Sequence, residues 1–118
     1  MEVKFHLPGL RRNYPLNVLF TGLLKGHPEF FREGVQIGSC FGEFPTSLWN
    51  GGRNSRGDQC GREYVNVVIK TLNDWGIPVR FTYTNMLLEK NDLYDPYCNY
   101  CMKAAHNGMN GVILVSPL

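Results

Sequence analysis

The chain has 118 residues, a hydrophobic content of 43%, and a formal net charge of +2 from 12 basic and 10 acidic residues. This length suits one small domain, and the composition is that of a globular protein rather than a disordered one. There is no basic run of the kind that binds nucleic acid, no apolar stretch near the ~20 residues of a membrane span, and no apolar signal-peptide segment at the N-terminus. We therefore expect a cytoplasmic protein whose partners are neither nucleic acid nor membrane.

The first part of the chain predicts a strand followed by a helix. Residues 2–7 alternate apolar with polar side chains and end at a Pro-Gly turn. Pro15 suits the first helical position, because its missing N–H would have no partner there. The apolar residues that follow recur at helical spacing and form one stripe, made of Leu16, Leu19, Phe20, Leu23 and Leu24.

A second strand is predicted at 34–41 and is followed by the longest loop of the chain. Two glycines, Gly38 and Gly42, interrupt the apolar pattern of this strand, and glycine within a strand often marks the close approach of a ligand or another backbone. A helix is then predicted from about Cys60 to Trp75, with Gly76 as its stop. Its apolar face consists of Tyr64, Val65, Val68, Leu72 and Trp75.

The last part of the chain predicts strands at 78–84 and 111–116, separated by a helix from Asp95-Pro96 to about His106. Alternating strands and helices indicate an α/β fold with a parallel sheet of about four strands, in the order 1-2-3-4, with the helices on one face. Sequential βα units of this kind fit the N-terminal half of a (β/α)8 TIM barrel, and fit a small doubly wound sheet less well. Because no helix follows the last apolar strand, we expect residues 1–118 to be one incomplete domain that self-associates in isolation.

The loop after the second strand carries the clearest functional pattern. In barrels of parallel strands the chemistry lies at the carboxyl ends of the strands, which is where this loop begins. Asn50, Gly51 and Gly52 predict a turn that presents backbone N–H groups to an anion, and Arg53 adds a bidentate donor for a carboxylate or phosphate. Trp49 either covers a ligand or anchors a tight turn. The pattern predicts a site for a small polar or anionic ligand, and it is neither a Walker A loop nor a dinucleotide fingerprint.

The end of the third strand supplies neutral hydrogen-bonding groups. Alternation places Thr82 and Thr84 on the side opposite Phe81 and Tyr83, and in a barrel the inward side near the top lines the pocket. These threonines and Asn85 would fix a ligand rather than transfer protons. The alternative is that threonine occurs here only because it favours strands.

Two residues near the predicted site can transfer protons. His6 lies in the first strand, where it can face the barrel interior as a base or a ligand, and Glu43 follows the second strand. This small number leaves open whether the protein is an enzyme.

The Cys98-x-x-Cys101 pair has a functional and a structural interpretation. Asp95 as N-cap would place Cys98 in the first turn of a helix, where the helix dipole lowers the pKa of a thiol, as suits a redox dithiol or half of a zinc site. However, no second Cys pair or nearby His pair completes a zinc site. We expect Cys101 to be a small core residue, we predict no metal site, and no cofactor is indicated.

Five phrases of the sequence together resemble a known group of proteins. The phrases are HLPGL, HPEFF, FPTSLWNGGR, GIPVRFTYTN and DPYCNYCMKAAHNGMNGVILVSPL, and they look like the N-terminal part of an uncharacterised group of phage and bacterial TIM-barrel proteins. That group is distantly similar in architecture to U32-type peptidases and radical SAM barrels. The resemblance implies a barrel that continues past Leu118, with rim residues that correspond to Asn50, Gly51, Gly52, Arg53, Thr84 and Asn85. It implies no catalytic residue, because the C-x-x-x-C-x-x-C motif and a protease nucleophile with its base are absent from the sequence.

Two functional hypotheses follow. In the first, an enzyme or enzyme-derived barrel binds a small polar or anionic ligand through Trp49–Arg53 and Thr82–Asn85. In the second, the same edge is a non-catalytic module that contacts a protein partner through Trp49, Phe41 and Phe44.

Overall fold

The computed structural model describes residues 2–44, 47–50 and 61–114. In chain order, the elements in these ranges are β1 (Val3–Leu7), α1 (Tyr14–Gly26), β2 (Val35–Gly42), α2 (Arg62–Asp74), β3 (Val79–Tyr83), α3 (Pro96–Ala105) and β4 (Gly111–Leu114). Short 3-10 helices follow α1 and precede α3. Each predicted strand and helix is confirmed, with ends that differ from the prediction by a few residues. Within the described ranges, no helix is both long enough and apolar enough to cross a membrane.

The four strands form one parallel sheet in the order β1-β2-β3-β4. The predicted α/β fold, the strand direction and the sequential order are therefore confirmed. The register places Phe41 opposite Arg80, and Thr82 opposite Ile113. Because side chains alternate between the two faces of a strand, residues paired in this way lie on the same face of the sheet.

One face of the sheet carries the core. Val79, Phe81 and Tyr83 of β3 are buried against side chains of α2 and α3. The ring of Phe44 packs edge-on against Phe81, with ring centroids 5.8 Å apart. Full burial of each such side chain contributes about 1.5–3 kcal/mol, so this face accounts for most of the apolar stabilisation. We call the opposite face, which carries His6, Phe41, Arg80, Thr82 and Ile113, the open face.

Helix α1 turns polar side chains towards the rest of the fold. Asn17 and Thr21 are its buried residues, and the Asn17 side chain donates a hydrogen bond to the carbonyl of Pro8 at 3.1 Å. Three of the four leucines of the predicted stripe are exposed, at 64% for Leu16, 72% for Leu19 and 42% for Leu23, whereas Leu24 and Phe20 are partly buried. The stripe predicted the helix correctly but did not identify its buried face, which carries Asn17 and Thr21.

Three asparagines join the elements at the amino ends of β3 and β4. The Asn110 side-chain oxygen accepts hydrogen bonds from the backbone N–H of Val79 at 2.8 Å and from Asn73 at 2.9 Å. Its amide donates to the carbonyl of Ala105 at 2.9 Å, and Asn107 also bonds to Asn73 at 2.9 Å. These hydrogen bonds give the polar side chains at this edge a structural role. The carboxyl edge of the sheet is therefore the better candidate for a functional site.

Candidate functional site

A bulge in β2 makes room for the ring of His6. Phe5 pairs with Ile37 and His6 pairs with Ser39, so Gly38 is an extra residue in β2. A Cβ atom at Gly38 would lie 2.7 Å from Cε1 of His6. The sequence predicted close approach of a ligand or another backbone at a strand glycine, whereas the group that approaches Gly38 is a side chain. Bulges are common next to active sites, because they change the direction in which a side chain points.

Ser39 fixes the orientation of the His6 imidazole. His6 Nδ1 and Ser39 Oγ form a hydrogen bond of 2.7 Å. Ser39 is only 1% exposed, so its hydroxyl is not accessible as a nucleophile. Because Nδ1 is engaged in this bond, Nε2 is the ring nitrogen that remains for a ligand.

The carboxyl edge of the sheet carries a group of hydrogen-bonded polar side chains, which we call the rim cluster: Glu43, Asn50, Thr82 and Thr84. The carboxyl group of Glu43 accepts hydrogen bonds from the side chains of Asn50 and Thr82. The Thr84 hydroxyl donates to the side-chain oxygen of Asn50 at 3.1 Å. The register explains the arrangement: Gly42 pairs with Phe81, so the next residue of each strand, Glu43 and Thr82, is brought side by side.

Burial changes the acidity of Glu43. Desolvation raises the pKa of its carboxyl group from 4.5, and the hydrogen bonds from Asn50 and Thr82 oppose that rise. The carboxyl group borders a pocket of about 240 Å³ that Arg12 and Gly9 also line. A carboxyl group with a raised pKa beside a pocket can accept or donate a proton more readily near neutral pH than an exposed one.

Trp49 and Asn85 lie behind the rim cluster and hold the loop 47–50 in place. The Asn85 side chain donates to the carbonyl of Leu48 at 2.8 Å, and its backbone N–H donates to the carbonyl of Trp49 at 3.1 Å. The indole N–H of Trp49 donates to the carbonyl of Asp92 at 2.7 Å, and its ring packs edge-on against Tyr83 at 5.2 Å. Of the two interpretations of Trp49, these contacts favour the anchor. Asn85 likewise positions the loop.

No protein-family model, curated protein or solved structure matches this chain. The resemblance to phage and bacterial TIM-barrel proteins therefore stays a prediction, and function has to be argued from the site itself.

The cysteine pair is a structural feature in the described part of the chain. Asp95 caps α3 by accepting a hydrogen bond from the backbone N–H of Cys98 at 2.8 Å, as predicted. The predicted low pKa of this thiol is wrong: burial raises the pKa of Cys98, and its sulfur lies 3.4 Å from the hydroxyl of Ser47. Cys101 is buried in the core as predicted, whereas the neighbouring Met102 is 38% exposed. Among residues 2–44, 47–50 and 61–114, no group of three potential ligands could hold a metal ion.

The site residues predicted from the sequence lie in different parts of the structure. Asn50, Thr82 and Thr84 come together in the rim cluster, Trp49 and Asn85 support it, and His6 lies lower on the open face. Gly51, Gly52 and Arg53 lie outside the described residues, so their predicted role stays a prediction. Sequence reasoning noted Glu43 only as a proton-transfer group and did not consider Arg80. The register of β2 and β3 places both on the open face, and that register cannot be read from the sequence alone.

Proposed function

We propose that this protein binds a small polar ligand at the carboxyl edge of its sheet through the rim cluster. The observation that carries the proposal is the setting of Glu43, which is half-buried and held by neutral donors from two different segments, Asn50 and Thr82. In the described part of the chain, no ion pair involves this carboxyl group. Desolvation of this carboxyl group costs stability that the two neutral donors offset only in part, which supports a role in binding rather than in folding.

The chemistry of the pocket indicates the kind of ligand. The Glu43 carboxylate accepts hydrogen bonds from a hydroxyl or amino group, and the raised pKa lets the same group exchange a proton with it. Arg12 lines the same pocket and supplies a donor for an anionic end. Arg53, which the sequence predicts near this edge, would add a second one. The ligand class is therefore a small molecule with both a hydroxyl or amino group and a negative charge.

A thermal-shift screen tests this proposal. Hydroxy acids, amino acids and sugar phosphates are added to the wild type, to Glu43→Gln, and to the exposed control Glu33→Gln. A ligand at 100 times its Kd stabilises a protein by about 2.7 kcal/mol, which is visible as a higher Tm. We expect at least one compound to raise the Tm of the wild type and the control but not of Glu43→Gln. Equal shifts in all three proteins, or no shift with any compound, would contradict the proposal.

The fold also supports a barrel-like arrangement. Four parallel strands in sequential order, with helices on one face and polar side chains on the other, are the arrangement of consecutive units in a (β/α)8 barrel. In such a barrel the open face lines the interior, and the rim cluster lies at the end where active sites form. We therefore propose that the sheet is part of a barrel, either of one chain or of associated chains.

The second functional hypothesis, a protein-interaction module, requires a different set of contact residues. Phe44 is 1% exposed and packs against Phe81, so it cannot contact a partner as the sequence suggested. Exposed apolar residues lie instead on the edge strand β4, where Ile113 is 41% and Leu114 is 59% exposed. Apolar edge strands pair readily with other strands. This observation favours self-association.

Sedimentation velocity at several concentrations tests self-association. We expect the sedimentation coefficient of the wild type to rise with concentration and that of Leu114→Lys to stay near the monomer value, because an edge lysine opposes strand pairing. A wild type that sediments as a monomer at every concentration would contradict it.

A further inference from the structure

Arg80 lies on the open face, one step below the rim cluster. It is opposite Phe41 in the sheet, and Thr82 follows it by two residues, or roughly 7 Å along the strand. A pocket of about 320 Å³ lies against this part of the face and is lined by His6, Ser39, Phe41, Arg80 and Ile113. The pocket thus combines a guanidinium group, an imidazole and two apolar walls, and it adjoins the pocket beside Glu43, with which it shares Phe41.

The charge on this part of the open face is positive. Alternation along β1 and β3 places Lys4, His6 and Arg80 on the open face, and the acidic Glu43 lies at its rim. No carboxylate in the described ranges forms an ion pair with Arg80. The guanidinium group of an arginine can bind a carboxylate or phosphate in a two-pronged geometry.

A purely structural role explains Arg80 but not His6. An arginine can cover apolar surface with its aliphatic stem and keep its charge in water, and Phe41 and Ile113 offer such a surface. The His6 ring, however, is held by the buried hydroxyl of Ser39 and fits a gap made by the Gly38 bulge. The hydrogen bond and the bulge hold the His6 ring on the same pocket as Arg80. Packing of the arginine stem against apolar residues does not require a histidine to be held there.

We propose that this pocket is an oxyanion-binding site, in which the guanidinium of Arg80 and a protonated Nε2 of His6 donate hydrogen bonds to the charged oxygens, and Phe41 and Ile113 contact an apolar part of the ligand. The ligand class is a small organic carboxylate or phosphate. The proposal goes beyond the rim site and does not depend on it, because none of its residues belongs to the rim cluster.

NMR of the histidine side chains tests this site directly. The chain has three histidines, so His27 and His106 are internal controls in every spectrum. Inorganic phosphate, phenyl phosphate, acetate and benzoate are titrated separately at constant pH and ionic strength. We expect saturable shifts of the His6 ring signals alone, and tighter binding of each aromatic anion than of its small counterpart, because the apolar walls contact the ring. The tighter of phenyl phosphate and benzoate identifies the headgroup.

Three variants separate a specific site from general attraction of anions. Arg80→Gln should weaken phenyl phosphate or benzoate at least tenfold, Arg80→Lys should give an intermediate loss, and Lys103→Gln on the exposed surface of α3 should bind like the wild type. Circular dichroism checks that Arg80→Gln, a change at an exposed position, leaves the fold intact. Equal shifts at the three histidines, or unchanged affinity in Arg80→Gln, would overturn the proposal.

Discussion

Replacement by alanine should affect the stability of the protein very differently at the two glycines of β2. At Gly42 the backbone φ is 143°, a conformation that residues with a side chain rarely adopt. An added Cβ would lie 2.7 Å from the backbone nitrogen of Leu10, and that nitrogen donates a hydrogen bond to the carbonyl of Phe41 at 3.1 Å. Gly42→Ala therefore forces a strained backbone and displaces a backbone hydrogen bond at the rim.

The expected magnitudes differ clearly. For Gly42→Ala, strain of about 1–3 kcal/mol and a lost hydrogen bond of about 1 kcal/mol give a loss of about 2–4 kcal/mol in the free energy of unfolding. For Gly38→Ala, the three atoms nearest to the new Cβ all belong to the movable ring of His6. Loss of the bond between His6 and Ser39 costs about 0.5–1.5 kcal/mol, and reduced freedom of the unfolded chain offsets about 0.4–1 kcal/mol. Its stability should therefore stay within about 1 kcal/mol of the wild type.

Urea unfolding of both variants measures this difference. We expect a much lower midpoint for Gly42→Ala at an unchanged slope, and a nearly wild-type midpoint for Gly38→Ala. Gly38→Ala should nevertheless lose the His6 response to phenyl phosphate, because the ring is pushed from its position. Equal destabilisation by the two substitutions would refute the reasoning, since it would mean that the bulge serves stability and not the placement of His6.

Three further predictions concern the asparagine contacts, the rim and the cysteine pair. Asn110→Ala should lower the free energy of unfolding, measured in urea, by about 1–3 kcal/mol, because the fully buried N–H of Val79 loses its acceptor. Asn107→Ala, at an exposed position, should cost less, and equal effects of the two substitutions would contradict this explanation. Because burial raises the pKa of Glu43 above 4.5, the folded state holds the proton more tightly than the unfolded state, so stability should fall as the pH rises from 4.5 through that raised pKa. Glu43→Gln should remove this fall in unfolding curves measured across that range, and parallel pH profiles of the two proteins would contradict it. Burial and a raised pKa should protect Cys98 from iodoacetamide until urea unfolds the chain, as mapped by mass spectrometry; rapid alkylation of the native protein would restore the redox interpretation.

The sequence was informative about the elements and their order. Hydrophobic periodicity distinguishes strands from helices, and the alternation of the two predicts a parallel sheet with sequential connections. The buried face of α1 was not predictable from its leucines. It carries Asn17, whose side chain bonds to the carbonyl of Pro8, and that contact depends on how the chain turns after β1. The hydrophobic pattern of a segment predicts whether it is a helix or a strand better than it predicts which of its faces is buried.

The site was predictable only in part, for a related reason. The rule that chemistry lies at the carboxyl ends of strands placed Asn50, Thr82 and Thr84 at one edge, and the structure brings them together. The neighbours of Glu43 and Arg80 depend on the register between β2 and β3, and that register is set by contacts between distant segments. For Cys98, the position at a helix N-terminus suggested a lowered thiol pKa, whereas burial of the thiol raises its pKa.

The most direct test of ligand binding at the rim cluster is to map the bound position of a compound from the thermal-shift screen by backbone amide NMR. We expect the largest shift changes at Glu43, Asn50, Thr82 and Thr84, with little change along α2, and we expect them to disappear in Glu43→Gln. Largest changes at the asparagine contacts of the opposite edge, or an unchanged map in Glu43→Gln, would contradict the proposed function.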